Sequence, residues 1–342
     1  MNRLFEIDVL RTICIILLLL DHSFAIFSGA WPTPDKIDFI PTYYWLGKFF
    51  YSFMLPLWVF ISGYLWGLQI IGKQKIPNFK SLLLNKIRRL LLPCYLFGGL
   101  YLIVTGRISS IFSLMGCFSY LSGVLHLWFL PMLFWIFILS FMLLKLKIRG
   151  KYLFFILLFV SLLSWHVMSL GILTATYYLF YFYMGFLCFK RKKSICKYNS
   201  TKNILCLASL FLIAFVLSSS LEPLVSSAGL PISFKRAQTE FLSNLVRFPR
   251  EFLGVILSYL LILKYINRIK KYMPIISFLA KRSFGIYLFH QFILMYMYYQ
   301  FPYISLINIW ILPFLAFFVT LLISLFAIFI FSKTRIGRQI LL

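Results

Sequence analysis

Acidic residues are scarce in this chain: 342 residues include eight Asp and Glu against 34 Lys and Arg. Cysteine is rarer still. The six cysteines form no Cys-x-x-Cys pair and keep no regular spacing, which speaks against a disulfide framework and against a thiolate metal site. There are four histidines, with no His-x-x-His, His-Glu-x-x-His or grouped-carboxylate pattern, so no metal is expected. Period-two alternation is missing as well, which argues against a β-barrel. Charged residues of both signs reach only 12%, where a soluble domain carries about 25%.

What fills the chain is apolar surface, with 62% hydrophobic and 20% aromatic residues. Repeated apolar stretches of about twenty residues, each matched to about 30 Å of hydrocarbon, predict an all-α polytopic membrane bundle. The expected spans are ten: about 9–28, 49–71, 90–105, 126–144, 152–169, 174–189, 203–219, 249–265, 275–299 and 305–331. A net charge of +26 would fit nucleic acid, but the basic residues gather in short loops after every second span. That is a topology signal. It predicts both termini in the cytoplasm and no nucleic-acid partner.

The whole of 1–342 reads as a single integral-membrane domain, without a soluble domain at either end and without an internal repeat. Segment 106–124 is a less hydrophobic outer connection. Segment 220–248, with Glu222, Lys235, Arg236, Glu240 and Arg247, is the largest extracytoplasmic loop and the natural place for substrate recognition. The beginning of the chain has the outline of a signal peptide, but Asp8, Arg11 and Asp21-His22 interrupt it, so a retained span is expected.

Chemistry concentrates on that first span. A charge in hydrocarbon costs several kcal/mol, which makes intramembrane Arg, Asp and His functional by default. Arg11 and His22 are eleven residues apart, which returns them to within about 20° of one helix face and separates them by about 16 Å. Snorkelling explains either residue alone but not the shared face. Asp8 precedes Arg11 by three residues and can hold its guanidinium. Asp21 points about 100° away from His22, so the two are not a dyad, and Asp21 is expected to meet another helix.

Other candidates are spread along the chain. Lys86, Arg88 and Arg89 stand where the third span meets the cytoplasm, as a phosphate-docking cluster or as a topology anchor. His126 and Trp128 lie at an outer boundary, His290 lies mid-span facing protein or water, and His166 beside Trp165 reads as interfacial.

Six motifs in order, Asp8-Val-Leu-Arg11 with ten residues to His22, Phe60-Ile-Ser-Gly-Tyr64, Lys86-Ile-Arg-Arg-Leu-Leu-Leu-Pro93, His126-Leu-Trp-Phe-Leu130, Tyr181-Phe-Tyr-Met-Gly185 and Ser283-Phe-Gly-Ile-Tyr-Leu-Phe-His290, resemble the acyltransferase 3 family of bacterial integral-membrane acyltransferases. The resemblance implies a ten-helix core in the bacterial inner membrane. It implies transfer of an acyl group, usually acetyl, from cytoplasmic acyl-coenzyme A, which is a co-substrate and not a resident cofactor. The acceptor it implies is a glycan or lipid-linked glycan hydroxyl of the cell envelope, with membrane lipid the other partner. It makes Arg11 and His22 the essential pair, His22 serving as general base or as transient acyl carrier. It places Lys86 and Arg89, with help from Arg88, at the family's Arg-x-x-Arg, where the lysine is a departure because a point charge replaces a planar fork. Asp8, Asp21, His126, Trp128 and His290 would support them. A rival reading of the same charged groups is a transporter or flippase of a polysaccharide precursor.

Overall fold

The computed structural model describes residues 5–35, 37–146, 148–164, 170–227 and 232–341, with side chains described for all of these except 226, 227 and 232–237. His166 and Trp165 fall outside them. Among the described residues every regular element is helical. The chain divides into two compact units, Met1–Trp58 with Gly254–Leu342, and Val59–Leu253.

The discontinuous unit opens with α1 (Phe5–Ser23), the short α2 (Ala25–Ser28) and α3 (Pro41–Tyr51). Proline at the first position of α3 suits a helix start, where its missing N–H is not needed, and it carries the second membrane segment eight residues further back than hydropathy predicts. A turn at Ser52-Phe53 separates α3 from α4 (Met54–Gly67), which holds Pro56 and passes into the second unit.

The second unit continues with α5 (Phe79–Lys86), a π-helical turn over Ile87–Leu91, and α6 (Leu92–Val104). The helix α7 (Leu114–Ser122) occupies the 106–124 connection; α8 (Phe129–Lys145), α9 (Gly150–Leu163), α10 (Ile172–Lys190) and the short α11 (Lys192–Ile195) follow. Gly63 of α4 and Gly185 of α10 form one close crossing. A Cβ at Gly63 would stand 1.8 Å from the Phe182 carbonyl oxygen, and one at Gly185 would stand 2.0 Å from that of Phe60. Small residues that let backbones meet are the expected device inside a bilayer.

The segment 220–248 is helical on both sides of its undescribed middle. The helix α12 (Thr201–Ser227) runs into it, and α13 (Ile232–Ile269) runs out of it and back into the first unit. There α14 (Met273–Tyr299), α15 (Leu312–Phe331) and α16 (Arg335–Leu341) complete the chain.

Among the described residues, seven helical stretches are long and apolar enough to cross a membrane. One of them, Gln238–Tyr299, is 62 residues long, about 90 Å of helix, and is broken by a 3-10 turn at Lys270–Tyr272. That length suffices for two crossings. The helix α9 is a shorter apolar helix, and α1 falls outside the seven although its 19 residues reach about 28 Å. Its Glu6, Asp8, Arg11 and Asp21 explain why. Glu6, Asp8 and Asp21 are buried, so α1 is enclosed by protein within its unit.

Candidate active site

Three neighbours, α14, α3 and α15, hold α1. It runs parallel to α14, with Thr12 Oγ1 donating to the Ile276 carbonyl at 3.0 Å near one end and Tyr298 Oη donating to the Ser23 carbonyl at 2.5 Å near the other. The helix α15 lies antiparallel to α14: Gly285 sits against Ile328, while Leu294 and Tyr298 share a core with Leu312 and Ala316. That core, which also contains Phe24, Phe27 and Tyr43, closes the end of the unit beyond His22.

His22 sits at the last turn of α1. Its Nδ1 is 3.0 Å from the Leu18 carbonyl oxygen. A carbonyl only accepts, so Nδ1 carries the hydrogen and Nε2 keeps the lone pair. This is the tautomer a general base or an acyl-accepting imidazole requires. The ring of His290 stands 4.9 Å away, edge-on, and that of Trp31 5.4 Å away. His290 is fully buried, with Nδ1 2.7 Å from the Tyr287 carbonyl, so its hydrogen is placed in the same way. Asp21 Oδ2 is 3.8 Å from His22 Nδ1, beyond hydrogen-bond reach of a nitrogen already engaged. As the spacing predicts, there is no Asp–His dyad.

At the inner end of the stripe, Asp8 is buried and its Oδ2 accepts from Ser277 Oγ at 3.2 Å. Arg11, one turn further on, is half-buried.

Sequence reasoning missed a polar layer between α14 and α15. On α15 the buried stripe Leu312, Ala316, Thr320, Ser324, Ile328 repeats every four residues and faces inward. On α14 Gln291 shares a face with Leu294 and Tyr298, which pack against the Leu312–Ala316 end of that stripe. With Gly285 opposite Ile328, antiparallel counting places Gln291 at the level of Thr320 and Ser324, beside His290. Gln291 Oε1, Thr320 Oγ1 and Ser324 Oγ are buried and, among the described residues, have no hydrogen-bond partner. Each such group costs about 1–3 kcal/mol when left dry, so three at one level mark a place for water or a polar ligand. The sequence signal was a Thr and a Ser four residues apart in an otherwise apolar span.

In the other unit the three expected cations part company. Lys86 Nζ lies 3.2 Å from the centroid of the Phe137 ring, turned inward onto α8, whereas Arg88 and Arg89 are exposed. The π-helical turn starting at Ile87 is the cause: an i→i+5 turn advances each residue through a smaller angle, so Lys86 and Arg89 leave the common face an α-helix would give them. His126 is half-buried in the 3-10 turn Leu125–Trp128 that leads into α8, and the Trp128 ring is 6.5 Å from that of Tyr178. This turn is strained. Leu125 has φ +50°, and Gly123 has φ +95° with the Trp128 backbone N 2.6 Å from where a Cβ would be.

A second polar network, also missed, lies under the 220–248 segment. Glu251 Oε2 accepts from Tyr177 Oη at 2.8 Å and Tyr181 Oη at 2.9 Å. Arg250 pairs with Glu222 at 2.6 Å and donates to Ser218, while Arg247 donates to Asn244. Its charges are paired among themselves, so it braces α10, α12 and α13.

With this geometry in hand, the sequence model of the acyltransferase 3 family, described as an acyltransferase domain, matches residues 4–333. The chain belongs to the acyltransferase 3 family. It is therefore an acyltransferase built on a multi-pass helical membrane protein. No curated protein and no experimentally determined structure matches the chain. Two of the family-like motifs, Phe60–Tyr64 and Tyr181–Gly185, are the two halves of the glycine crossing, and two others bring His22 and His290 to ring contact.

Proposed function

We propose that this acyltransferase moves an acyl group, acetyl by preference, from cytoplasmic acyl-coenzyme A to a hydroxyl of a cell-envelope or exported glycan. The observation that carries the reading is His22: its Nδ1 hydrogen is committed to Leu18, its Nε2 lone pair is left for chemistry, and part of its side chain (16%) remains exposed. His22 Nε2 takes the proton of the acceptor hydroxyl as the oxygen attacks the thioester carbon; the C–S bond breaks and the proton ends on the coenzyme A sulfur. Arg11 serves as the positive partner of the thioester oxygen as charge develops there. Arg88 and Arg89, exposed and unable to lose their charge, hold the donor phosphates, with Lys86 behind them.

The proposed topology has ten crossings with both termini in the cytoplasm: the seven long apolar stretches, α1, α9, and α13 counted apart from α14. The bacterial inner membrane is the proposed location. The test is reconstitution in proteoliposomes with acetyl-coenzyme A inside and the envelope glycan outside, following coenzyme A release and glycan mass. His22→Ala is expected to lower transfer at least about a hundredfold while the protein stays inserted. Unchanged transfer would reject the role of His22, and glycan translocation without coenzyme A release would point to transport instead.

A further inference from the structure

The second unit contains a cavity of about 180 Å³ behind α9, between α8 and α10 and reaching Trp66 of α4. None of the residues assigned above to acyl transfer lines it. Its walls are Leu153, Leu157, Leu179, Phe182 and their like, with Ser140 on one side and the Lys190 ammonium arm at one end. The hydroxyl of Tyr183, also in the wall, is spent on the Gly150 carbonyl at 3.2 Å. That end of the cavity is where α8 stops, α9 starts and α10 stops, and there Lys145, Arg149, Lys151, Lys190, Arg191 and Lys193 are all exposed.

Among the described residues no carboxylate pairs with any of the six, and the sequence holds no Asp or Glu between Asp38 and Glu222. Six cations gathered at the end of a cavity with apolar walls, Lys190 among the lining, favour an anion, and one attached to something oily. An apolar cavity of about 150 Å³ accepts one benzene, so this one has room for about half a dozen chain carbons. A pantetheine arm fits worse. Its two amides would have to lie along Leu153, Leu157, Leu179 and Phe182, whose side chains offer no hydrogen bond, at a cost of about 1–3 kcal/mol each. The opposite face of α9, with Phe155 and Phe159 each more than 60% exposed, is apolar enough to meet lipid tails directly.

We propose that this cavity is a binding site for an anionic phospholipid of the surrounding bilayer, one acyl chain lodged against Leu153, Leu157 and Phe182 and the phosphate held by Lys190 and the collar. Basic pockets between membrane helices hold anionic headgroups in this way. The probes are dioleoyl-phosphatidylglycerol and dioleoyl-phosphatidylcholine, offered to the full-length detergent-purified protein and counted as retained adducts by native mass spectrometry. Phosphatidylglycerol is expected to be retained over phosphatidylcholine. Lys190→Gln should weaken it about fivefold while the chain still binds. Ser140→Leu and Leu153→Phe, which fill the cavity from two sides, should remove the adduct, and each is checked for a monodisperse elution profile so that either suffices if the other misfolds.

Equal retention of the two lipids, or full retention in a folded cavity-filled variant, overturns the proposal. Displacement of the lipid by coenzyme A would make the cavity part of the donor site, and displacement by inorganic phosphate alone would leave the chain without a role; either result also overturns it.

Discussion

At the scale of single residues, the expectation that agrees best with the geometry is that Asp21 and His22, though adjacent, form no dyad. The prediction rested on the 100° between neighbouring helical side chains, and the 3.8 Å to Asp21 with the Leu18 carbonyl closer agrees. The partner that does meet His22, His290, was legible as a buried intramembrane imidazole. Its contact with His22 was not, because 268 residues separate them and only the packing of α1 on α14 joins them. The Tyr298 hydroxyl on the Ser23 carbonyl is the pin that fixes the end of α1 one residue past His22. Tyr298→Phe removes the pin and strands a buried carbonyl, a loss of about 1–3 kcal/mol. Turnover is expected to fall about ten- to a hundredfold through misplacement of the imidazole, with the KM for acyl-coenzyme A unchanged. Steady-state kinetics on the reconstituted protein separate the two: a raised KM with normal turnover would mean that Tyr298 serves donor binding.

Among elements, hydropathy marked stretches that are helical and misjudged where several of them end. The 220–248 segment looked like a loop because Glu222, Glu240 and Arg247 lower its mean hydropathy. A sliding window counts each charge as a separate cost, yet Glu222 and Arg250 pair at 2.6 Å and neutralise one another. At the basic start of the third span, a π-turn is a local change of phase that no propensity announces. The close approach of α10 to the second span at Gly63 supplies a test with its own control. Gly63→Ala forces a methyl group into the Phe182 carbonyl and is expected to lower the thermal midpoint in detergent, by about 1–3 kcal/mol of stability or more. Gly99, also mid-helix but 3.4 Å from only the Tyr120 hydroxyl, should accept Ala with no loss, or with a gain of about 0.5–1 kcal/mol from helix propensity. Equal behaviour of the two variants would show that the crossing is looser than its geometry.

For the whole molecule, the decisive property is which side of the membrane each connection occupies, since the proposed transfer from a cytoplasmic donor to an outer acceptor requires the chain to expose different loops to each. The scarcity of cysteine makes this measurable without engineering a tag. Cys117, partly exposed on α7 in the 106–124 connection, and Cys196, exposed in the Lys190–Lys197 turn, are both free thiols. The charge bias assigns them to opposite faces: the second lies among Lys190, Arg191, Lys192, Lys193 and Lys197, which positive-inside topology keeps in the cytoplasm, while the first has one arginine, Arg107, nearby. A membrane-impermeant maleimide applied to intact spheroplasts should therefore label Cys117 and spare Cys196 until the membrane is opened. The buried thiols Cys14, Cys94 and Cys188 should stay unlabelled in both states. Labelling of both Cys117 and Cys196 from one side would place the two connections on the same face. An even number of crossings would then separate them instead of the three proposed, over α8, α9 and α10, and the ten-span arrangement would have to be abandoned together with the inward orientation of Arg88 and Arg89.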